Sequence, residues 1–227
     1  MFIKDLLFPK VCLSCGKFGS YICLECYKKL DYMLYDKCIY CEKNSFAGFT
    51  HPGCRRRNGV DGLLTIFHYN DVLKKIIKSI KYRLVREGLI ELLTIIEPQA
   101  TEKIGFYKKH VGQVYLQPIP LHDKRLKQRG FNQSAYIVNV IAHTFGWPAV
   151  ELLHRTKETQ SQARLSGREN RYLNMRGAFS ISKKNSNAKK IILVDDVVTS
   201  GSTVKEAART LKTNGAEKVY ILALAKG

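Results

Sequence analysis

From Gly62 onward, short apolar runs alternate with stretches in which apolar residues recur every three or four positions. Leu63 to Tyr69 reads as a strand. Asp71 to Tyr82 reads as a helix, with Val72, Leu73, Ile76, Ile77 and Ile80 at helical spacing. A second helix is predicted over Glu87 to Ile96, ending before Pro98, because proline lacks the N–H that a helix interior uses. Val114 to Ile119 is a strand, Asn132 to Phe145 a helix stopped by Gly146, and a short strand follows near Val150. Lys157 to Met175, which includes Gln160, Gln162, Arg164, Arg168 and Arg171, is polar and aperiodic. It reads either as a lid over a ligand or as a basic loop that touches nucleic acid, with Arg168 and Arg171 as contact candidates. Ala178 to Ile181 is its returning strand, followed by a strand over 190–194, a helix over 203–213 and a strand from Lys218 to Ala223. This alternation predicts an α/β fold: a doubly wound parallel sheet with ligands at the carboxyl ends of its strands.

The run Ile191 to Val194 delivers two adjacent carboxylates, Asp195 and Asp196. Thr199, Ser200, Gly201, Ser202 and Thr203 follow and open into an amphipathic helix with Val204, Ala207, Ala208 and Leu211 on one face. A strand, a hydroxyl-rich turn and a helix N-terminus form an anion site, since free amides and the positive end of the helix dipole converge there. The acids beside it suit vicinal sugar hydroxyls or a hydrated Mg²⁺. No lysine follows the glycine where a Walker A loop requires one.

Residues 118–134 read PIPLHDKRLKQRGFNQS, a strand end running into a loop with His122, Lys124, Arg125, Lys127 and Arg129 before Gly130. In a doubly wound sheet this cationic loop lies on the same edge as the acid pair. Arginine suits it, because the planar guanidinium makes bidentate bonds to phosphate. His122, Lys124, Arg125 and Arg129 are therefore phosphate candidates, and Lys127 is a nucleic-acid candidate.

All seven cysteines lie between residues 12 and 54, which places a domain boundary near Val60: residues 1–60 and 61–227. Cys12 and Cys15, Cys23 and Cys26, and Cys38 and Cys41 form three C-x-x-C knuckles, and His51 with Cys54 supplies a fourth pair. Such spacing in a reducing compartment points to zinc. Pairing in sequence order gives one site of Cys12, Cys15, Cys23 and Cys26, and another of Cys38, Cys41, His51 and Cys54. This double zinc ribbon is favoured by the short loops, while a cross-braced pairing uses the same eight residues. Both sites are closed, so the zinc is structural, and a segment with so little core depends on it to fold.

The N-terminus, MFIKDLLFPK, argues against a secretory signal, and the apolar runs are too short to span a membrane, which together point to the cytoplasm. Net charge is +19, from 38 basic and 19 acidic residues, far beyond what solubility requires. It implies a polyanionic partner. The basic residues are dispersed, as in Arg55, Arg56 and Arg57, in Lys74 to Arg83, and in Lys183, Lys184, Lys189 and Lys190.

The cysteine knuckles, IKYR at 80–83, PIPLHDKRLKQRGFNQS, TQSQARLSGRENRYLNMRGAF and VDDVVTSGST together resemble the ComF family over essentially the whole chain. Leu84 and His51 depart from the usual pattern. The resemblance implies a type I phosphoribosyltransferase-like domain behind an N-terminal zinc module. It implies a 5′-phosphate cradle at 199–203 and ribose hydroxyls at Asp195 and Asp196, with Mg²⁺ accompanying phosphoribosyl pyrophosphate. It further implies competence for natural transformation: binding and handling incoming single-stranded DNA in the cytoplasm, peripheral to the inner membrane through the import machinery. The import helicase ComFA and recombination mediators are the implied partners, with Arg55, Arg56 and Arg57 as further nucleic-acid candidates. Two alternatives stand beside this: an active Mg²⁺-dependent phosphoribosyltransferase, for which the chain shows a donor half-site and no acceptor pocket, and a scaffold that recruits a DNA-import helicase.

Overall fold

The computed structural model describes residues 9–82, 85–159, 168–182 and 187–227, leaving out the side chains of Arg168 and Glu169. The expectations placed on Arg83, Gln160, Gln162, Arg164, Lys183, Lys184 and the Arg168 side chain lie outside the described residues. A four-stranded sheet organises the rest, from β1 (Gly62–His68), β2 (Tyr115–Pro118), β5 (Lys190–Val198) and β6 (Lys218–Lys226), in the order β1-β6-β5-β2. All three pairings are parallel. A small antiparallel pair, β3 (Leu153–Arg155) and β4 (Phe179–Ile181), sits apart. The segment near Val150 extends the β2 edge through Leu116 N to Pro148 O and Val150 N to Leu116 O, both 2.8 Å.

Successive residues of a strand face opposite sides, and β5 shows this plainly. Ile192 and Val194 join a core that also holds Leu73, Ile76 and Ile80 of α2 (Asp71–Tyr82), Leu92 and Ile96 of α3 (Arg86–Val111), and Ile137 and Ile141 of α5 (Gln133–Phe145). Ile191 and Leu193 face the other way, onto Val204, Ala207, Ala208 and Leu211 of α7 (Ser202–Thr213). Helices therefore cover both faces, as the doubly wound reading predicts.

Two elements differ from the sequence reading. The helix predicted to stop before Pro98 continues to Val111. The missing N–H breaks one hydrogen bond, but Ile104, Tyr107 and Val111 beyond it are buried in the same core, and that burial outweighs the loss. The cationic stretch after Pro120 is not a loop but the helix α4 (Asp123–Arg129), opened by His122, whose side chain accepts from Lys124 N, and closed by Gly130 in the left-handed region.

The cysteine-rich segment, which includes the single turn α1 (Leu24–Tyr27), lies along the free edge of β1. Met33 N donates to Ile66 O and His68 N to Asp31 O, both at 2.8 Å, and Tyr32 and Phe49 form bridges to Phe67 and Gly62. Leu13, Ile22, Leu30 and Ala47 share the core of α2 and α3. Lys103 of α3 reaches across to Asp36 at 2.9 Å. Among the described residues, no helix is long and apolar enough to cross a membrane.

Candidate phosphate-binding cleft and metal centres

Beyond the carboxyl ends of β2 and β5 lies a cleft of about 370 Å³. Asp195 and Asp196 line it, as do Thr199, Ser200, Gly201, Ser202 and Thr203, Arg125 and Arg129 of α4, and Arg171 of α6 (Arg168–Met175). The sequence reading thus converges on one hollow from four segments. His122, Lys124 and Lys127 are not among its lining residues. His122 is spent on capping α4, and Lys124 turns outward to Glu158 at 2.6 Å, because successive helical residues point in different directions.

The turn after β5 is shaped for an anion. Gly201 adopts φ +74, a left-handed conformation that glycine takes without strain. Ser200 Oγ and Ser202 Oγ lie 2.9 Å apart, and Ser202 N donates to Ser200 Oγ at 3.4 Å. Among the described residues, the amides of Thr199, Ser200, Gly201 and Thr203 have no acceptor within the chain. Unpaired amides at a helix N-terminus are the donors that phosphates take.

Gln133 and Arg155, only 3% and 5% exposed, also line the cleft, and among the described residues Gln133 Nε2 and Arg155 Nε, themselves buried, find no hydrogen-bond acceptor. Arg155 is held by Thr159 Oγ1, and Arg125 donates to the Thr159 carbonyl. Burial, followed by repulsion from Arg125 and Arg129, brings the Arg155 guanidinium down to about 10, with Asp195 opposing. Burial also lowers Arg125, with Arg129 adding to the shift. Among the described residues, seven lysines and arginines line the cleft against two acids.

The acid pair is asymmetric. Asp195 Oδ1 accepts from Asp196 N at 2.9 Å and from Ser134 Oγ at 3.2 Å. Burial pushes its carboxyl up to about 7, and the Asp196 charge adds to this, against Lys81 and the two hydrogen bonds. Asp196 is gripped instead by Lys81, whose ammonium lies 2.9 Å from Oδ1 and 2.7 Å from Oδ2. Burial pulls Lys81 down, but Asp196 more than reverses this, so its pKa is raised. An ammonium therefore stands beside Asp196, where the sequence suggested a hydrated Mg²⁺.

The cysteines form two clusters, Cys12, Cys15, Cys23 and Cys26, and Cys38, Cys41, His51 and Cys54, each with its ligand atoms within 4.8 Å of one another. The pairing is the sequential one, not the cross-braced one. A tetrahedral ion with metal–sulfur bonds of about 2.3 Å needs neighbouring ligand atoms less than about 4 Å apart. Cys15 and Cys23 Sγ at 3.6 Å, and Cys41 Sγ and His51 Nδ1 at 3.2 Å, meet that need. The other His51 nitrogen faces Asn44 O at 3.1 Å, the outer contact that orients a metal-binding imidazole. Burial pushes the Cys12 thiol up, but the backbone amides of Cys23, Cys15 and Ser14 outweigh it and hold it at about 6. Burial is likewise outweighed at Cys38, held at about 7 by the amides of Cys41, Tyr40 and His51. Burial pushes the other two thiols with a shift up, Cys26 to about 12 and Cys54 to about 11, so it is the clustering of four ligand atoms in each set that suits a tetrahedral ion such as zinc.

Of the residues after Cys54, Arg55, Arg56 and Arg57 are all exposed, and Arg56 packs over the Tyr40 ring with 4.8 Å to its centroid.

Residues 136–227 match the phosphoribosyl transferase domain family. Competence protein F of Haemophilus influenzae is 27% identical, with 90% of each chain covered. DNA utilization protein YhgH of Escherichia coli strain K12 is 30% identical, covering 72% of this chain and 71% of that one. Competence protein ComFC of Bacillus subtilis is 27% identical, covering 86% of this chain and 79% of that one.

Proposed function

The chain belongs to the ComF family, and from that premise we propose that it serves natural transformation, binding and handling incoming single-stranded DNA in the cytoplasm while a separate cleft binds a phosphorylated ribose such as phosphoribosyl pyrophosphate. One observation carries the cleft half of this reading: among the described residues, four unpaired loop amides edge a hollow lined by seven lysines and arginines, with two carboxylates beside the anion loop. The amides cradle the 5′-phosphate, Asp195 accepts from ribose hydroxyls, and Arg125, Arg129 and Arg155 face the pyrophosphate. The DNA half rests on the net charge of +19 and on cations outside the cleft, Arg55, Arg56, Arg57 and Lys127 among them. Such contacts release counterions, so affinity falls steeply with salt. The import helicase ComFA and recombination mediators are the partners this role calls for. The metal clusters hold the N-terminal segment, residues 1–60, as a structural module beside the 61–227 domain.

Titrating ribose 5-phosphate and a single-stranded oligonucleotide against one preparation at two salt concentrations tests both halves. Asp195→Ala with Asp196→Ala is expected to abolish sugar-phosphate binding and leave salt-sensitive DNA affinity intact. Arg55, Arg56 and Arg57 changed together to Ala are expected to do the reverse. A chain that binds neither probe at low salt overturns the reading.

A second reading, an active phosphoribosyltransferase, is favoured by Asp195, whose carboxyl at about 7 sits in the range of a working acid or base. Transfer of ribose 5-phosphate from phosphoribosyl pyrophosphate to an added nitrogen base or amine, with a new bond at the anomeric carbon as pyrophosphate leaves and the transfer lost in Asp195→Asn, would establish it.

A further inference from the structure

The cleft has its own cation where related chemistry uses a metal. Lys81 occupies the last turn of α2, whose Ile76, Ile77 and Ile80 are buried in the core, so the helix that carries it is fixed beside the cleft. Its ammonium donates to Asp196 Oδ1 at 2.9 Å, stands 2.7 Å from Oδ2 as an ion pair, and lines the same cleft as the phosphate loop. An ammonium has three N–H donors. Among the described residues only Asp196 Oδ1 accepts from it, and Asp196 Oδ2 has no hydrogen-bond donor, so the ammonium keeps donors for a ligand's anionic groups in the cleft it borders.

We propose that Lys81 replaces the divalent cation at this site, so that a sugar phosphate or sugar pyrophosphate binds without Mg²⁺. The inference rests on the sugar-phosphate reading above and adds to it the source of positive charge. A divalent ion bridges carboxylate and pyrophosphate oxygens. A lysine can do the same by pairing with Asp196 and donating a remaining N–H to the ligand, and it needs no dehydration of an ion that gives up water reluctantly. Arg125, Arg129 and Arg155 supply the remaining countercharge, which makes an additional ion unnecessary and electrostatically unwelcome.

The test is calorimetric titration of the full metal-loaded chain with ribose 5-phosphate and with phosphoribosyl pyrophosphate. Both ligands are used in chelator-free buffer, without Mg²⁺ and then with it at millimolar concentration. The unaltered chain is expected to bind both, with affinities that Mg²⁺ changes by less than about threefold. Lys81→Met is expected to lose about tenfold or more in affinity for phosphoribosyl pyrophosphate without Mg²⁺, and to recover most of it when the ion is added. Lys81→Arg, which keeps the charge, should bind without the ion. A purely structural role for Lys81 does not produce rescue by Mg²⁺. If the unaltered chain binds only with Mg²⁺, or if Lys81→Met binds equally well without it, the inference fails and the sugar-phosphate reading survives. If no protein binds either ligand under any condition, it is that reading which fails. Circular dichroism of Lys81→Met establishes that the variant is folded.

Discussion

The ammonium of Lys205 lies 5.2 Å from the centroid of the Tyr40 ring, and 3.5 Å from the Ser200 carbonyl. One lysine thus touches both the Cys38–Cys41 knuckle and the phosphate loop. Ile39 of the same knuckle completes the contact, its Cδ1 lying 3.6 Å from where a side chain on Gly201 would begin. Tyr40→Ala should therefore weaken ribose 5-phosphate binding by about threefold to tenfold, the value of a partly buried cation–π contact, with both metals retained. Titration together with metal analysis checks this.

Gly201→Ala should damage the loop more directly. At φ +74 a side chain is strained, and its Cβ would sit 3.3 Å from Lys205 Cε. A loss of roughly 1 kcal/mol in stability is expected, or a melting temperature about 2–4 °C lower for a chain of this size. Phosphate affinity should fall by a larger factor than stability alone would suggest, because the unpaired amides flank this residue.

Asp195 makes stability depend on pH in an unusual direction. Its carboxyl moves from an ordinary 3.8 to about 7, chiefly through burial and then through Asp196, while Lys81, the Asp196 amide and the Ser134 hydroxyl resist. The folded chain holds this proton more tightly than the unfolded chain. The stability linked to it is fully present below about pH 4 and is lost as pH rises toward about 7, at no more than about 1.4 kcal/mol per pH unit. Asp195→Asn, neutral throughout, should flatten the profile between about pH 5 and 8 and be the more stable protein at pH 8. Urea denaturation across that range decides; an unchanged profile would mean that Asp195 ionises freely when folded.

Elemental analysis should find two tetrahedral metals per chain, and His51→Ala should retain one tightly and release the other to a mild chelator. Complete chelation should lower the melting temperature of the whole protein by about 10 °C or more, because Leu13, Ile22, Leu30 and Ala47 belong to the main core. A separate low-temperature transition, with the main one unmoved, would contradict that sharing.

The parts of this molecule that sequence patterns revealed are those in which local chemistry and fold agree. Ile191 to Val194, the acid pair and the small-residue turn carry strand, site and helix N-terminus within one short segment. The eight candidate metal ligands declared themselves by spacing, and the short loops favoured the sequential grouping that the structure has. What the patterns hid depends on contacts between distant segments. Nothing near Pro98 says that Ile104 and Tyr107 have a core to join. Lys81 stood in a recognisable motif, but its role depends on a partner 115 positions away. Arg155 did leave a signal, the inward position of a short strand in which Leu153 and Arg155 are buried and His154 is exposed. A charged residue at such a position needs a reason, and the cleft supplies it.

The cysteine-rich segment shields β1, whose outer backbone groups bond to Asp31 and Met33 rather than to water. A flat strand deprived of that cover becomes a template for a neighbouring copy. Loss of the metals would accordingly favour adhesion between molecules along this edge.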